Sequence, residues 1–169
     1  ILAAIDFDPS ATPDEETALN WQVLELAVSL AISEFAELHV VHAWDAIGES
    51  VMRIWGDSAS SDLVSYVETE RRGHKEGLDR IMAQLRERVG ADALAYTKPR
   101  HHLPRGTPRH VIPQLAADLD VDLLVMGTVA RTGIPGLLIG NTAETILNQI
   151  ECSVLAVKPP GFVSPVQPE

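Results

Sequence analysis

The stretch from Asp120 to Glu144, DVDLLVMGTVARTGIPGLLIGNTAE, constrains the fold more than any other part of the chain. Val121, Leu123, Leu124, Val125 and Met126 form the short apolar run that a parallel strand covered on both faces requires, so a strand ending at Gly127 is predicted. A loop follows with Gly127, Gly133, Gly136 and Gly140, residues that let backbone amides approach a ligand without a side chain intervening. Asn141 then opens a helix, and Glu144 three residues on completes the pattern of a capping box. Strand, glycine loop and helix N-terminus in this order bring unpaired amides and the positive end of a helix dipole to one point, which suits a phosphate. Such turns also serve simply to pack a helix closely on a sheet, and the loop alone does not separate the two readings.

The rest of the chain alternates strand-like and helix-like segments. Ile1 to Ile5 is an apolar run stopped by Asp6, read as the first, central strand. Asp6 falls at its carboxyl end, the edge where open α/β sheets bind ligands. A loop-capping aspartate is the competing reading. Thr12, Pro13 and Glu15 mark the start of a helix whose inward stripe is Leu19, Val23, Leu26, Ala27 and Leu30. Ala36 to Trp44 reads as the second strand. His39 and His42 are an odd number of positions apart in it, so they point to opposite faces and form no ligand pair. His42 is read as a hydrogen-bonded structural histidine.

Residues 45–61 make a long loop, a candidate flap over a ligand. A helix is predicted from Asp62 to Val89, with Leu78, Ile81, Met82 and Leu85 inward and a kink or break near Gly73 and Gly77. The third strand is placed at 94–103, with Pro99 arguing for a sheet edge. Arg100, His101, His102 and Arg105 are taken as solvated strand-edge charge. Thr107 and Pro108 start a further helix, with Val111, Ile112, Leu115 and Ala116 inward. Ile146, Leu147 and Ile150 lie on the last helix, and Cys152 to Lys158 is a final strand ended by Pro159 and Pro160.

Alternation of this kind predicts a parallel sheet with crossover helices on both faces, and 169 residues fit one such domain. A net charge of −11 argues against nucleic acid and anionic membrane as partners, since either needs a basic face. The single cysteine excludes an intrachain disulfide and fits a reducing compartment. No apolar run reaches membrane-spanning length and ILAAIDFD lacks the basic flank of a signal peptide, so a cytoplasmic location is expected. The start at Ile1 without a methionine and the trailing GFVSPVQPE suggest a piece of a longer chain.

Gly127, Ala130 three residues later, nine intervening residues, then Gly140 and Asn141 resemble the nucleotide-binding signature of universal stress proteins. That signature is glycine, two residues, glycine, nine residues, glycine, then serine, threonine or asparagine. Ala130 replaces the second glycine. The glycine-x-proline at Gly106 to Pro108 and the strand ending Met126-Gly127-Thr128 are also typical of the family. The resemblance implies an open five-stranded parallel sheet of order 3-2-1-4-5, helices on both faces, in the adenine nucleotide alpha hydrolase-like class. It implies a domain over residues 1–160 with 161–169 as tail or linker, most similar to the second half of a tandem protein.

By the same resemblance, Asp6 and Ala43 lie beside adenosine, Met126 belongs to the nucleotide-binding set, and Gly127, Ala130, Gly140, Asn141 and Thr142 surround phosphates while Arg131 offsets their charge. The implied ligand is ATP or a related adenine nucleotide, with Mg2+ held mainly by the phosphates, and the implied role is regulatory or stress-responsive. A homodimer, or the equivalent tandem packing, is expected through the last strand. The alternative is a module of the same fold with no nucleotide, acting through dimerisation or protein contacts. No metal-binding set stands out, and no P-loop lysine or fixed base marks a dedicated enzyme; weak ATP hydrolysis is the most expected. A dinucleotide dehydrogenase is disfavoured, because no G-x-G-x-x-G follows the first strand.

Overall fold

A computed structural model describes residues 1–10, 18–49, 52, 60–128 and 139–162. In chain order the elements are β1 (Leu2–Ala4), α1 (Ala18–Ser33), β2 (His39–Val41), α2 (Ser60–Val89), α3 (Ala91–Thr97), β3 (Arg100–His102), α4 (Pro108–Asp118), β4 (Leu123–Gly127), α5 (Asn141–Leu147) and β5 (Ser153–Val157). The strands form one open parallel sheet in the order β3-β2-β1-β4-β5, as the sequence and its resemblance imply. Leu2 is in register with both His39 and Leu124, so β1 is central and its carboxyl end lies between those of β2 and β4.

Two apolar clusters sandwich the sheet. On one face Ala3, Ile5, Val40 and Val125 pack with Val23, Leu24, Ala27 and Val28 of α1 and with Leu78, Ile81, Met82 and Leu85 of α2. On the other, Leu2, Val41, Leu124 and Met126 pack with Ile112 and Ala116 of α4 and with Ala143 and Ile146 of α5. Side chains of a strand point alternately to its two faces, and that alone assigns neighbouring residues to different clusters.

Four expectations need correction. The segment 94–103 is not one strand. Ala91–Thr97 is a helix with Asp92 in its first turn, bounded by Gly90 at φ 92° and by Lys98, whose left-handed backbone ends it. Only Arg100–His102 pairs with β2, at the sheet edge that Pro99 suggested. Second, α2 runs as one helix of 30 residues through Gly73 and Gly77. A Cβ at Gly77 would collide with the ring of Phe7, so glycine here permits close packing of helix on sheet. Third, the buried face of α1 is Asn20, Val23, Leu24, Ala27, Val28 and Ala31, while Leu26 is 41% exposed. Fourth, the first turn of α5 carries no capping box: Gly140 is the N-cap, without a side-chain hydrogen bond, and Asn141 is the first helical residue.

The predicted caps at Thr12 and the flap at 45–61 lie wholly or largely outside the described residues. At the start of α4, Thr107 is the N-cap and Pro108 follows it, as read from the sequence. Gly106 just before them has φ 137°, and its amide donates to the Trp44 carbonyl at 2.8 Å. A side chain would be strained at that φ, and its Cβ would also meet Val111.

Candidate functional site

In open sheets of this kind, adjacent strands whose connections leave in opposite directions create a crevice at their carboxyl ends. Here these strands are β1 and β4, with Ala4 in register with Met126. Beyond Ala4 the chain of β1 continues through Ile5, whose amide donates to the Val41 carbonyl at 3.0 Å, to the exposed Asp6.

Asp6 is held by its main chain. Its amide donates to Asn20 Oδ1 at 3.3 Å, and Asn20 Nδ2 donates to its carbonyl at 2.8 Å. Asn20 is 5% exposed, so this two-point grip sits inside the protein and fixes where the Asp6 side chain leaves the sheet. The sequence reading missed Asn20. The available signal was an asparagine three residues before Val23 on the apolar stripe of α1, a polar residue where a buried one is expected.

The residues on either side of Asp6 are fixed from β2. His42, 1% exposed, has Nδ1 3.3 Å from the Ile5 carbonyl and stacks on Phe7 at 3.7 Å between ring centroids. A carbonyl only accepts, so Nδ1 carries the proton and Nε2 is left to accept from His74 Nδ1, 2.9 Å away. His42 is therefore the hydrogen-bonded structural histidine that the sequence predicted. Its partner His74, from the charged middle of α2, left no sequence signal. Ala43, next along the chain, is buried.

On the β4 side Met126 is buried at 4% exposure and Gly127 ends the strand. The backbone of Gly127 is not left-handed; a Cβ there would strike the Leu19 side chain of α1. Thr128 comes next. Its amide donates to the Val157 carbonyl at 3.2 Å and its carbonyl accepts from the Gly140 amide at 2.7 Å. This second bond brings the start of α5 back to the end of β4. It also means that the Gly140 amide has a protein acceptor, where the sequence reading had a bare donor. The Thr128 hydroxyl, by contrast, is buried and has no hydrogen-bond partner among the described residues. Asn141 and Thr142 are exposed at the mouth of α5. Ala130 and Arg131, with Gly133 and Gly136, lie outside the described residues.

The fold thus brings Asp6, Ala43, Met126, Gly127, Gly140, Asn141 and Thr142 to the carboxyl edge of neighbouring strands and to the helix that follows β4. Among the described residues no group of three or more His, Cys, Asp or Glu could hold a metal ion. No helix among them is long and apolar enough to cross a membrane.

Comparison with known proteins places this arrangement among relatives. Residues 1–158 match the family model described as the universal stress protein family. The chain is 37% identical over 151 residues to universal stress protein E of Escherichia coli K12, covering 89% of this chain and 44% of that protein. It spans about half the length, or less, of the relatives of that type that it matches. Among solved structures, a universal stress protein in complex with cAMP superposes with TM-score 0.56 at 22% identity, over 92% of this chain and 95% of that one. A universal stress protein family protein from Arabidopsis thaliana with AMP bound gives TM-score 0.58 at 15% identity, over 95% and 91%. At such identities these two structures share the fold.

Proposed function

This chain belongs to the universal stress protein family, and from that premise we propose that it binds ATP or a related adenine nucleotide in a regulatory or stress-response role. The observation that carries the reading is the convergence of two distant segments at the β1/β4 crevice. Asp6 is exposed there on a buried two-point grip, and Gly140 is drawn to Thr128 by a 2.7 Å hydrogen bond. Adenosine lies by Asp6 and Ala43, Met126 belongs to the nucleotide-binding set, and the phosphates lie by Gly127, Ala130, Gly140, Asn141 and Thr142, with Arg131 offsetting their charge. Mg2+, where it accompanies ATP, takes its ligands mainly from phosphate and water. Relatives of the same fold solved with cAMP and with AMP support an adenine ligand.

No dedicated catalysis is assigned to the crevice, and ATP turnover stays well below about 1 per second, the low end for ordinary enzymes. The domain is taken as residues 1–160 with 161–169 as tail, in a cytoplasmic protein. It pairs through the edge strand β5 with a second copy or with a tandem partner.

A second reading is an interaction module of this fold without nucleotide. The internal engagement of the Gly140 amide favours it, because that amide already has an acceptor. Calorimetric titration with ATP, ADP and AMP separates the two. Binding to the wild type that is lost in Gly140→Arg, with unchanged circular dichroism, supports the first reading; a wild type that binds none of the three leaves the second.

A further inference from the structure

The ladder of β1 stops one residue short of Asp6. The Ile5 amide still donates to the Val41 carbonyl at 3.0 Å, whereas the Asp6 amide donates to Asn20 Oδ1 at 3.3 Å and the Asp6 carbonyl accepts from Asn20 Nδ2 at 2.8 Å. At this step a side chain of α1 takes the place of a neighbouring strand. A carboxamide carries a donor and an acceptor side by side, so one side chain holds both main-chain polar groups of a single residue. Asn20 is buried and Asp6 is exposed, so the grip is closed to water while the residue it holds is open to a ligand.

The residue before Asn20 meets the opposite wall. Leu19 fills the space at Gly127, its Cδ2 only 2.6 Å from where a Cβ on that glycine would stand. Asp6 follows β1 and Gly127 closes β4, the neighbouring strands that bound the crevice. Consecutive residues in the first turn of α1 therefore touch both walls, one through hydrogen bonds and the other through packing. The helix behind them is seated in the larger core by Val23, Leu24, Ala27 and Val28, so this turn is carried on a rigid element.

We propose that Asn20 is a positioning residue of this crevice and sets how strongly an adenosine group is held at Asp6, while the phosphate side is set separately through Leu19 and Gly127. The inference rests on the nucleotide reading given above. A carboxylate accepts hydrogen bonds, so Asp6 reads donors on the ligand, the ribose hydroxyls or the amino group of adenine. Bonds to a charged acceptor are strong only in good geometry. Holding Asp6 by both its amide and its carbonyl removes backbone freedom that binding would otherwise have to freeze. Without Asn20 the chain is held only up to Ile5, and the Asp6 carboxylate samples directions that miss the donor.

The test is calorimetric titration of the full chain with AMP and with ATP. Asn20→Leu, which keeps the branched shape but offers no hydrogen bond, is expected to weaken both nucleotides by the same factor, about 10-fold, because they share adenosine. Asp6→Ala weakens both as well, and the double variant is no weaker than Asp6→Ala alone, since Asn20 acts through Asp6. Additive losses, a larger loss for ATP than for AMP, or wild-type affinity in Asn20→Leu overturn the role. A wild type that binds neither nucleotide removes the functional reading itself, and this inference with it. In 15N spectra of the unmutated, ligand-free protein the Asn20 side-chain amide protons are expected to exchange slowly with solvent. Exchange as fast as that of an exposed carboxamide overturns the grip, whatever the folding of the variants.

Discussion

His42 and His39 leave the same short strand on opposite faces of the sheet, and their surroundings differ. On the face covered by α1 and α2, both nitrogens of His42 meet protein groups, the Ile5 carbonyl and His74, and the Phe7 ring lies flat against it. On the other face, His39 has one nitrogen toward a carboxylate whose side chain is 70% exposed and the other toward the half-buried His102. The first histidine is locked into a closed core and supports the crevice from below. The second sits near the sheet edge, where its neighbour can be reached. One residue type thus makes two kinds of buried contact, one closed beneath α1 and α2 and one that reaches the sheet edge through His102.

The contrast between faces is tested most strongly by truncating each core. Ile81→Ala, fully buried in the larger cluster beneath α2, is expected to cost toward the upper end of about 2–5 kcal/mol in urea unfolding. Ile112→Ala, in the smaller cluster under α4, is expected near the lower end, because fewer neighbours surround the cavity. Equal losses would remove the difference in core strength.

A smaller effect, with opposite signs at two positions of one helix, sharpens the role of the His42 stack. Among the described residues, Gly73→Ala meets only Pro9 Cβ at 3.7 Å, so removing a flexible glycine from the helix should stabilise by about 0.5–1 kcal/mol. Gly77→Ala drives a methyl into the Phe7 ring, which is itself pinned against His42, and should destabilise by about 1–3 kcal/mol. Denaturation midpoints that move the same way in both variants would show that the Phe7 ring yields freely.

The smallest expected effect is on pH. Burial depresses His39, His101 and His102 below the ordinary histidine value of 6.5. Their unfolded forms therefore take up protons first. The stability they contribute is complete above about pH 6.5 and declines as pH falls through that value toward the lower folded ones. Urea unfolding at pH 7.5 and pH 5.5 should show the loss, and His102→Gln should flatten it; a slope of the opposite sign would contradict the burial.

Much of the architecture was readable before any coordinates. The runs ending at Ile5, Trp44, Gly127 and Lys158 each contain a strand, because apolar residues flanked by turn formers have few other ways to be buried. The third strand was misread because Leu94 and Tyr96 stand two apart just before Pro99, a spacing that a strand also shows. A helix of seven residues is too short for its own propensity to hold it, and packing of Ala93 and Leu94 against the core around α1 and α2 stabilises it. Leu26 was misassigned because α1 is apolar around most of its circumference, and periodicity cannot orient such a helix.

At the crevice, the sequence located Asp6, Gly127 and Gly140. It did not locate Asn20, which grips Asp6, or Thr128, whose carbonyl holds the Gly140 amide. Thr128 is hidden from any local pattern, and Asn20 shows only as a polar residue on the apolar stripe of α1, with nothing to name its partner.

From its sequence this chain determined most of its elements, the alternating faces of its strands and the family signature around Gly127 and Gly140. Those are properties of neighbours in the chain, fixed by backbone period and by the chemistry of turns. Tertiary structure decided the pairings across distance: His39 with His102, His42 with His74, Asn20 with Asp6. Such contacts depend on strand order, register and the seating of each helix. These are set by packing of the whole molecule, so neither position alone names its partner.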